Sequence, residues 1–390
     1  MKIFSPLISH SYLPTLSSNG SSTTRRPVTC SHLANPAPHS FPSLNSTTRS
    51  ITFPFDFIHK STAMANSRNA LIKATTQDRD NAPNVKSVKL LGFVFRYVRP
   101  YMLLGTLTAL TGAAGRILME NHHLVNASNW VSLSFTTLAV LVTILLTDGF
   151  VCQINDIYDL EIDKINKPEL ALAAGDISMK EAWNFVVGSA IVSTASAFFL
   201  QSKAFLLFVL LQLAAGFIYS VPPFYLKRST YWAIFICAAF RGYNFHLMVC
   251  AGASVIFGLP FHLSPAVLFL TIVSTGLAAT GGVMKDLPDI EGDRKNNVPT
   301  LACLYGPQFA AAIGFGLLFV VYTGSTAAGV LFPQMFKQSV MIPAHLAVGS
   351  LAAFKAWNLQ KSNFNKEASK GFDLFVWNLF NVECLIFPFI

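Results

Sequence analysis

Long apolar runs alternate with short polar segments from Pro100 to the end of the chain. The apolar residues are continuous within each run, and a helix of about 20 such residues crosses the hydrocarbon core of a bilayer. Backbone groups in lipid must find hydrogen-bond partners within the protein, which favours helices over open strands. The pattern predicts nine transmembrane helices at 100–119, 133–154, 183–201, 204–220, 232–256, 264–284, 307–331, 340–357 and 373–390.

The composition supports a membrane protein. Of the 390 residues, 52% are hydrophobic and only 12% are charged, and the mean hydropathy is +0.48. Soluble domains carry about 25% charged residues, so this chain has too few charges to cover several of them. The six cysteines are scattered and form no Cys-x-x-Cys pair. We interpret them as buried thiols rather than as a metal site or a disulfide framework.

The first 75 residues have a different composition. They contain seven basic residues and one acidic residue, are rich in Ser and Thr, and lack an apolar run long enough for a secretory signal. This composition is typical of an organellar transit peptide, and the Ser content favours a plastid. The alternatives are a disordered basic tail and, more weakly, a nucleic-acid-binding segment. We predict a plastid transit peptide at 1–75, a membrane domain at 90–390 and no nucleic-acid partner.

Basic residues predict which loops share one side of the membrane. Loops after even-numbered predicted helices contain Lys164, Lys167, Lys180, Lys227, Arg228, Arg294, Lys295, Lys361, Lys366 and Lys370. Loops after odd-numbered helices contain essentially Lys203 and Lys337, with Arg116 in the last turn of the first helix. The positive-inside rule therefore places the N terminus and the even-numbered loops on the side from which the protein inserts.

Two acidic clusters lie at the ends of the second and sixth predicted helices, on this same side. The first contains Asn155, Asp156, Asp159, Glu161 and Asp163, and the second contains Lys285, Asp286, Asp289, Glu291 and Asp293. Positions 155, 159 and 163 line one face of a continuing helix. Positions 156, 159 and 163 have the same spacing as 286, 289 and 293. The matched spacing at equivalent helix ends favours a binding site over solvated loop acids.

Stacked like charges repel one another, and the cost grows near lipid, unless a cation offsets it. Mg²⁺ takes one or two carboxylates, keeps water ligands and completes its shell with substrate phosphates. Neither cluster follows the pattern of a calcium-binding EF-hand loop. We therefore predict a Mg²⁺–diphosphate site. Basic candidates for the remaining phosphate oxygens are Lys164, Lys167, Lys227, Arg228, Lys285, Arg294 and Lys295.

The predicted site indicates a reaction class. Diphosphate is a good leaving group once a metal neutralises its developing charge. An allylic diphosphate would leave a carbocation, which needs a dry pocket with electron-rich walls to escape water. A membrane helix bundle offers such a pocket and accommodates a water-insoluble prenyl tail. The sequence therefore predicts prenyl transfer.

Four segments of the chain resemble the signature segments of the UbiA superfamily of membrane prenyltransferases. They are NDIYDLEIDKINKP, YSVPPFYLKR, Arg241–Gly242 and KDLPDIEGDRK. The resemblance covers roughly residues 93–390 and is nearest to the plant plastid branch that acts on homogentisate. Within that branch the chain resembles the solanesyltransferases more than the phytyltransferases. It implies an all-α membrane protein with nine transmembrane helices in a UbiA-type bundle around a central, lipid-open cavity. It also implies Mg²⁺, a prenyl diphosphate donor, a phenolic acid acceptor, and a multi-pass location in a plastid membrane, for which we expect the inner envelope.

The resemblance further implies roles for individual residues. Metal ligation is assigned to Asn155, Asp156, Asp159, Asp163, Asp286, Asp289 and Asp293. Among these, Asp159, Asp163, Asp289 and Asp293 are expected to be catalytic. Diphosphate contacts are assigned to Asn155, Lys164, Lys167, Tyr219, Lys227, Arg228 and Lys285.

The chain departs from the family pattern around the acceptor. Asp148 and His246 each stand where the family usually has Asn, and we place both in the acceptor pocket with Arg241. His246 could be a general base or a packed helix residue, and Asp148 a functional acid or one paired at a helix end. A homogentisate-like acid is the first acceptor to test, and farnesylation of an orsellinate-like acid is the alternative. A transporter with an ion relay is the alternative of another class, but it predicts acids at mid-span.

Overall fold

The computed structural model of the protein describes residues 100–121 and 130–390. The predicted transit peptide at 1–75 and the predicted start of the membrane domain at residue 90 lie outside the described residues. Within the described residues the chain is helical and contains no strand. The longer elements are α1 (Pro100–Asn121), α2 (Trp130–Tyr158), α3 (Leu160–Asn166), α4 (Met179–Phe199), α5 (Lys203–Ser220), α6 (Thr230–Ile236), a π-helix (Cys237–Asn244), α7 (Phe245–Ile256), α8 (Pro265–Met284), α9 (Ile290–Lys295), α10 (Leu301–Tyr305), α11 (Pro307–Leu331), α12 (Gln338–Lys361) and α13 (Lys366–Ile386), and two short 3₁₀ turns are Leu226–Arg228 and Phe387–Phe389.

The predicted membrane architecture is confirmed. In residues 100–121 and 130–390, nine helical stretches are long and apolar enough to cross a membrane. One of them, Thr230–Ile256, is formed by α6, the π-helix and α7 together. Large apolar side chains such as Phe135, Ile191 and Phe319 are exposed on the outside of the bundle, as expected for residues that face lipid.

Two of the helices that begin earlier than predicted, α4 and α13, differ most from their predicted starts, because their polar first turns resemble loop sequence. α4 begins at Met179, where Ser178 accepts a hydrogen bond from the Glu181 amide and the Glu181 side chain accepts one from the Ser178 amide. This capping box satisfies amide groups that the helix itself leaves without partners. α13 begins at Lys366, seven residues before the predicted start, and Asn365 caps it by accepting from the Ala368 amide.

The helix α8 lies at the centre of the bundle. It is the most buried of the candidate spans, since 72% of its most apolar 18-residue stretch is buried, and it packs against the π-helix, α11 and α13. Gly242 allows the π-helix to approach α8 closely, since a Cβ atom there would lie 2.5 Å from the Cα of Thr275. π-Helical segments often occur at functional sites. Here the segment carries Arg241, the basic residue of the predicted acceptor pocket.

Candidate active site

The first acidic segment continues the helical path of α2. Asp159 lies between α2 and α3, yet its amide donates to the Asn155 carbonyl at 2.9 Å, and the Asp163 amide donates to the Asp159 carbonyl at 2.8 Å. The side chains of Asn155, Asp159 and Asp163 are therefore one turn apart along one side of the segment. Asp163 is 5% exposed, whereas Asn155, Asp156 and Asp159 are half-buried.

The second acidic segment follows α8. Residues 285–289 form a turn, and α9 begins at Ile290. The Asp293 amide donates to the Asp289 carbonyl at 3.0 Å, which fixes the spacing of these two residues. Asp286, Asp289 and Asp293 are all buried, at 5–8% exposure. Buried carboxylates are costly unless charged or hydrogen-bonding partners compensate for the lost water.

Asn166 and Lys167 join the two segments. The Asn166 side-chain amide donates to Asp293 Oδ1 at 3.2 Å, and its carbonyl oxygen accepts from the Gly292 amide at 3.1 Å. Lys167 Nζ lies 2.6 Å from Asp289 Oδ2. A Cβ atom at Gly292 would lie 2.1 Å from Asn166 Oδ1, so only glycine fits this contact. The structure thus places the two acidic segments side by side.

Two further lysines contact the acids, Lys227 from the 3₁₀ turn after α5 and Lys285 from the second acidic segment itself. Lys227 Nζ lies 2.7 Å from Asp159 Oδ1 and donates to Asn155 Oδ1 at 3.1 Å. Lys285 Nζ lies 2.9 Å from Asp286 Oδ1. Tyr219, near the end of α5, lies within electrostatic range of Lys285, Asp286 and Asp159. Residues predicted for diphosphate and metal binding therefore border the same space.

The lysine pKa values differ because burial and ion pairing compete. Burial lowers the pKa of Lys227, and the charge and hydrogen bond of Asp159 offset only part of this effect. Burial alone would also lower the pKa of Lys167, but the charge and hydrogen bond of Asp289 raise it above its ordinary value. Burial alone would lower the pKa of Lys285 as well, but the charge and hydrogen bond of Asp286, together with the charge of Tyr219, raise it well above its ordinary value.

Two of the acids, Asp293 and Asp289, lie in surroundings that favour a bound cation. Burial, followed by the charges of Asp286 and Asp289, raises the pKa of Asp293 to about 7. Oδ1 of Asp289 is buried and accepts no hydrogen bond from any described residue. A divalent cation would stabilise both groups in their charged forms.

The residues fit Mg²⁺ when a diphosphate shares its coordination. All the candidate ligands are oxygen atoms, which hard cations prefer. In the described part of the chain, no three His, Cys, Asp or Glu side chains are grouped closely enough to hold a metal ion alone. Mg²⁺ commonly uses only one or two carboxylates together with substrate phosphates and water. The divided arrangement therefore suits a metal–diphosphate complex better than an all-protein metal site.

Some of the predicted basic contacts lie elsewhere. Lys164 pairs with Glu161 at 2.6 Å and Lys295 with Glu291 at 2.8 Å, and both pairs are largely exposed to solvent. Arg228 lies over the Tyr225 ring, with 5.5 Å from Cζ to the ring centroid. No hydrogen bond or ion pair among described residues connects Lys164 or Arg228 to the aspartates of the two acidic segments. The spacing of charges along the sequence did not show which basic side chains point toward the acidic segments and which point to solvent.

The predicted acceptor residues form a second site deeper in the bundle. Arg241 Nη1 lies 3.0 Å from Asp148 Oδ2, and the guanidinium carbon lies 4.3 Å from the ring centroid of Phe245 and 5.6 Å from that of Trp377. Asp148 is 3% exposed. A buried carboxylate needs a charged or hydrogen-bonding partner, and Arg241 is that partner for Asp148. Residues that line the cavity at Arg241 include Gly105, Asn378 and Asn381.

His246 lines the same cavity but is held by its surroundings. Its Nδ1 lies 2.8 Å from the Gly242 carbonyl, and its Nε2 lies 3.7 Å from Cys384 Sγ. The ring also stacks on Phe380, with 5.9 Å between the ring centroids. Both nitrogens have partners, so the geometry favours the packed helix histidine over the general base.

Two site residues were not found from the sequence. Asn166 belongs to the NDIYDLEIDKINKP segment, but nothing in its spacing showed that it bridges to Asp293. Asp373, on α13, lies within electrostatic range of Lys167, Lys285, Asp286 and Asp289. A single acid on the same helix face as Trp377 and Asn381 was the available signal.

Residues 107–379 match the UbiA prenyltransferase family. The chain is 36% identical over 377 residues to "Homogentisate solanesyltransferase, chloroplastic" of Arabidopsis thaliana, covering 95% of this chain and 97% of that relative. It is 38% identical over 301 residues to "Probable homogentisate phytyltransferase 2, chloroplastic" of Oryza sativa subsp. japonica, covering 76% of this chain and 77% of that one. A solved structure of a UbiA homolog from Archaeoglobus fulgidus shares the fold with a TM-score of 0.52 at 19% identity, covering 76% of this chain and 98% of that one.

Proposed function

This chain belongs to the UbiA prenyltransferase family, and on that premise we propose that it transfers a prenyl group from a prenyl diphosphate to a phenolic acid of the homogentisate type. Two relatives that span three quarters or more of the chain carry the names of homogentisate prenyltransferases. The observation that carries the proposal is the meeting of both acidic segments with Lys167, Lys227 and Lys285 around one space.

The donor end of the site suits a diphosphate. The carboxylates of Asp159, Asp163, Asp289 and Asp293 would hold Mg²⁺, which neutralises the charge of the departing diphosphate when bound. Lys227 and Lys285 present ammonium groups at the edges of the carboxylate cluster. These groups are placed to bind phosphate oxygens by charge-assisted hydrogen bonds. The lysines and the acids therefore have complementary roles toward one ligand.

The interior of the bundle suits a cationic intermediate. Allylic C–O cleavage produces a carbocation, which electron-rich ring faces stabilise and water destroys. Aromatic rings of Phe245 and Trp377 already surround the Arg241 guanidinium in this interior. The ring carbon of the acceptor would then form the new C–C bond and lose its proton. The transferred group and the acceptor meet in a space from which the packed helices exclude water.

The acceptor end is proposed to be the Arg241 cavity. A guanidinium binds a carboxylate with well-defined geometry, and a phenolic acid supplies both a carboxylate and a ring for the aromatic walls. Asp148 holds Arg241 through the 3.0 Å ion pair and would thereby orient it. His246 forms part of the wall. We infer that this end determines which acceptor is used.

The location follows from the relatives and the helices. Relatives named as chloroplastic and nine candidate spans in the described residues support a multi-pass protein of a plastid membrane. The inner envelope and the transit peptide at 1–75 are parts of the proposal. Import of a fluorescent fusion of the full chain, followed by envelope fractionation, tests both.

A donor-by-acceptor matrix tests the proposed reaction. Microsomes that contain the full chain are incubated with farnesyl, geranylgeranyl or solanesyl diphosphate and with homogentisate or an orsellinate-like acid, with and without EDTA. We expect an EDTA-sensitive, C-prenylated product with homogentisate, detected by mass spectrometry. A product from farnesyl diphosphate and the orsellinate-like acid alone would replace the proposed acceptor. No product from any pair would contradict the assignment as an aromatic prenyltransferase.

A further inference from the structure

Asp373 is a half-buried acid that belongs to neither acidic segment. It lies seven residues after the start of α13 at Lys366, and its Oδ1 is buried and accepts no hydrogen bond from any described residue. A buried carboxylate oxygen without a donor is unfavourable. Such an atom at the edge of a binding site indicates that a ligand supplies the missing donor.

The surroundings of Asp373 place it between the donor and acceptor ends. On one side are Lys285 and Asp286, which lie within its electrostatic range. On the other side is Cys237, one turn before Arg241 on the π-helix, and Cys237 lies within electrostatic range of Lys285, Arg241 and Asp373. Asp373 therefore lies near charged residues of the donor end and near the π-helix that carries Arg241.

The helix α13 relates Asp373 to the Arg241 cavity. Asp373, Trp377 and Asn381 follow one another at intervals of four residues and so lie on one face. Four residues correspond to about 6 Å along a helix axis. Trp377 lies against the Arg241 guanidinium, and both Trp377 and Asn381 line the cavity. Asp373 thus lies one helical turn from Trp377, on the face of α13 that lines the Arg241 cavity.

A role as an additional metal ligand explains these observations less well. The two acidic segments already bring the six aspartates that are predicted as metal ligands, and Mg²⁺ bound to a diphosphate uses only one or two carboxylates. The position of Asp373 on the face that leads toward Trp377 and Arg241 favours a contact with the acceptor.

We propose that Asp373 accepts a hydrogen bond from a ring hydroxyl of the phenolic acceptor while Arg241 binds the acceptor carboxylate. This inference rests on the proposed function and names the residue that selects the acceptor within it. The two contacts hold the ring at both ends and fix which ring carbon faces the diphosphate site. A pocket built to bind a hydroxyl group rejects an analogue without it, because its own polar group would then stay unpaired.

The test measures binding rather than turnover. The full-length protein in detergent, with Mg²⁺ and inorganic diphosphate present, is titrated with homogentisate and with phenylacetate, which lacks both ring hydroxyls. We expect the wild-type protein to bind homogentisate at least about tenfold more tightly. In Asp373→Leu the two acids should bind with nearly equal affinity, while the affinity for Mg²⁺ and inorganic diphosphate stays within about twofold. Asp373→Asn keeps a carbonyl oxygen and should give an intermediate preference.

Glu367→Gln is the matched control, because Glu367 is an exposed acid in the first turn of the same helix. It should keep the wild-type preference. If Asp373→Leu does not fold, Asp373→Asn supplies the comparison. The proposal is overturned if a folded Asp373 variant keeps the wild-type preference for homogentisate. It is also overturned if the wild-type protein binds the two acids equally or binds neither. A third contrary result is a loss of diphosphate affinity in the variant as large as its loss of homogentisate affinity. Failure of the proposed function would show separately, as a lack of prenylated product in the donor-by-acceptor matrix.

Discussion

The Asn166 side chain donates a hydrogen bond to Asp293 Oδ1 at 3.2 Å, although the two residues are 127 positions apart. The same side chain accepts a hydrogen bond from the Gly292 amide. An amide can donate and accept at once, so Asn166 fixes both the carboxylate and the backbone of the second acidic segment. The relative position of the two segments depends on this one buried residue.

Replacing Asn166 should therefore damage both stability and the site. Asn166→Ala leaves Asp293 Oδ1 and the Gly292 amide without their partner, which costs about 1–3 kcal/mol for each buried group. We expect a lower melting temperature in detergent and at least a tenfold loss of Mg²⁺–diphosphate affinity. Asn358→Ala, on the exposed face of α12, is the control. Wild-type melting and affinity in Asn166→Ala would show that the bridge is dispensable.

Two lysines that looked alike in the sequence should behave differently. Lys227→Met removes an ammonium that lies 2.7 Å from Asp159, and we expect donor affinity to fall about tenfold or more, as is typical for the loss of a charge-assisted contact. Lys164→Met removes a surface ion pair, which is worth about 0–1 kcal/mol, and should leave donor affinity within about twofold. Competition by inorganic diphosphate in the presence of Mg²⁺ measures both. Equal effects in the two variants would refute the placement of the cations.

Metal binding should weaken in acid because of Asp293. Its pKa is raised to about 7 by burial and by the charges of Asp286 and Asp289. Below that pH the metal-free protein holds a proton on Asp293 that a bound cation must displace, so affinity for Mg²⁺ falls by up to about tenfold per pH unit. By linkage, the metal-free protein should also lose stability as the pH rises through about 7.

Calorimetric titration of Mg²⁺ between about pH 5 and 8 measures this dependence. Asp293→Asn should bind the metal more weakly at high pH but show a flatter pH profile. A wild-type affinity that does not change across this range would contradict the assignment of Asp293 to the metal site.

Variants of the Arg241–Asp148 ion pair should distinguish its effect on stability from its effect on acceptor binding. Removing one member of a buried ion pair costs about 3–5 kcal/mol, because it leaves an unpaired buried charge. Arg241→Met should therefore melt much earlier than the wild-type protein. The double variant Arg241→Met with Asp148→Leu should recover most of that stability, since no charge remains, but should still bind the acceptor poorly and the diphosphate normally. Recovery of acceptor affinity in the double variant would exclude Arg241 as the carboxylate contact.

The membrane helices could be predicted from the sequence because each is defined by its own apolar composition and length. The helix starts at Met179 and Lys366 were missed, since Ser178 and Asn365 cap polar first turns that resemble loops. The π-helix was missed because its irregular hydrogen bonding depends on close packing at Gly242 against α8.

The candidate site was predictable in part for a similar reason. Acids with a repeated spacing at equivalent helix ends can be recognised locally, and so can a basic residue beside them. Asn166 and Asp373 acquire their importance only from elements far away in the sequence, which a single sequence does not reveal. Whether Lys164 or Lys227 faces the site is decided by the side of the element each occupies and by competing partners such as Glu161.

The central claim is that the two acidic segments bind one metal–diphosphate ligand together. A double-mutant cycle on Asp159→Asn and Asp289→Asn tests it, with Mg²⁺-dependent binding of an unreactive farnesyl thiodiphosphate as the measurement. If both carboxylates act on one ligand, each single variant should lose at least about a hundredfold in affinity, and the double variant should lose little more than either. Wild-type affinity in either single variant, or losses that simply multiply in the double variant, would contradict the claim.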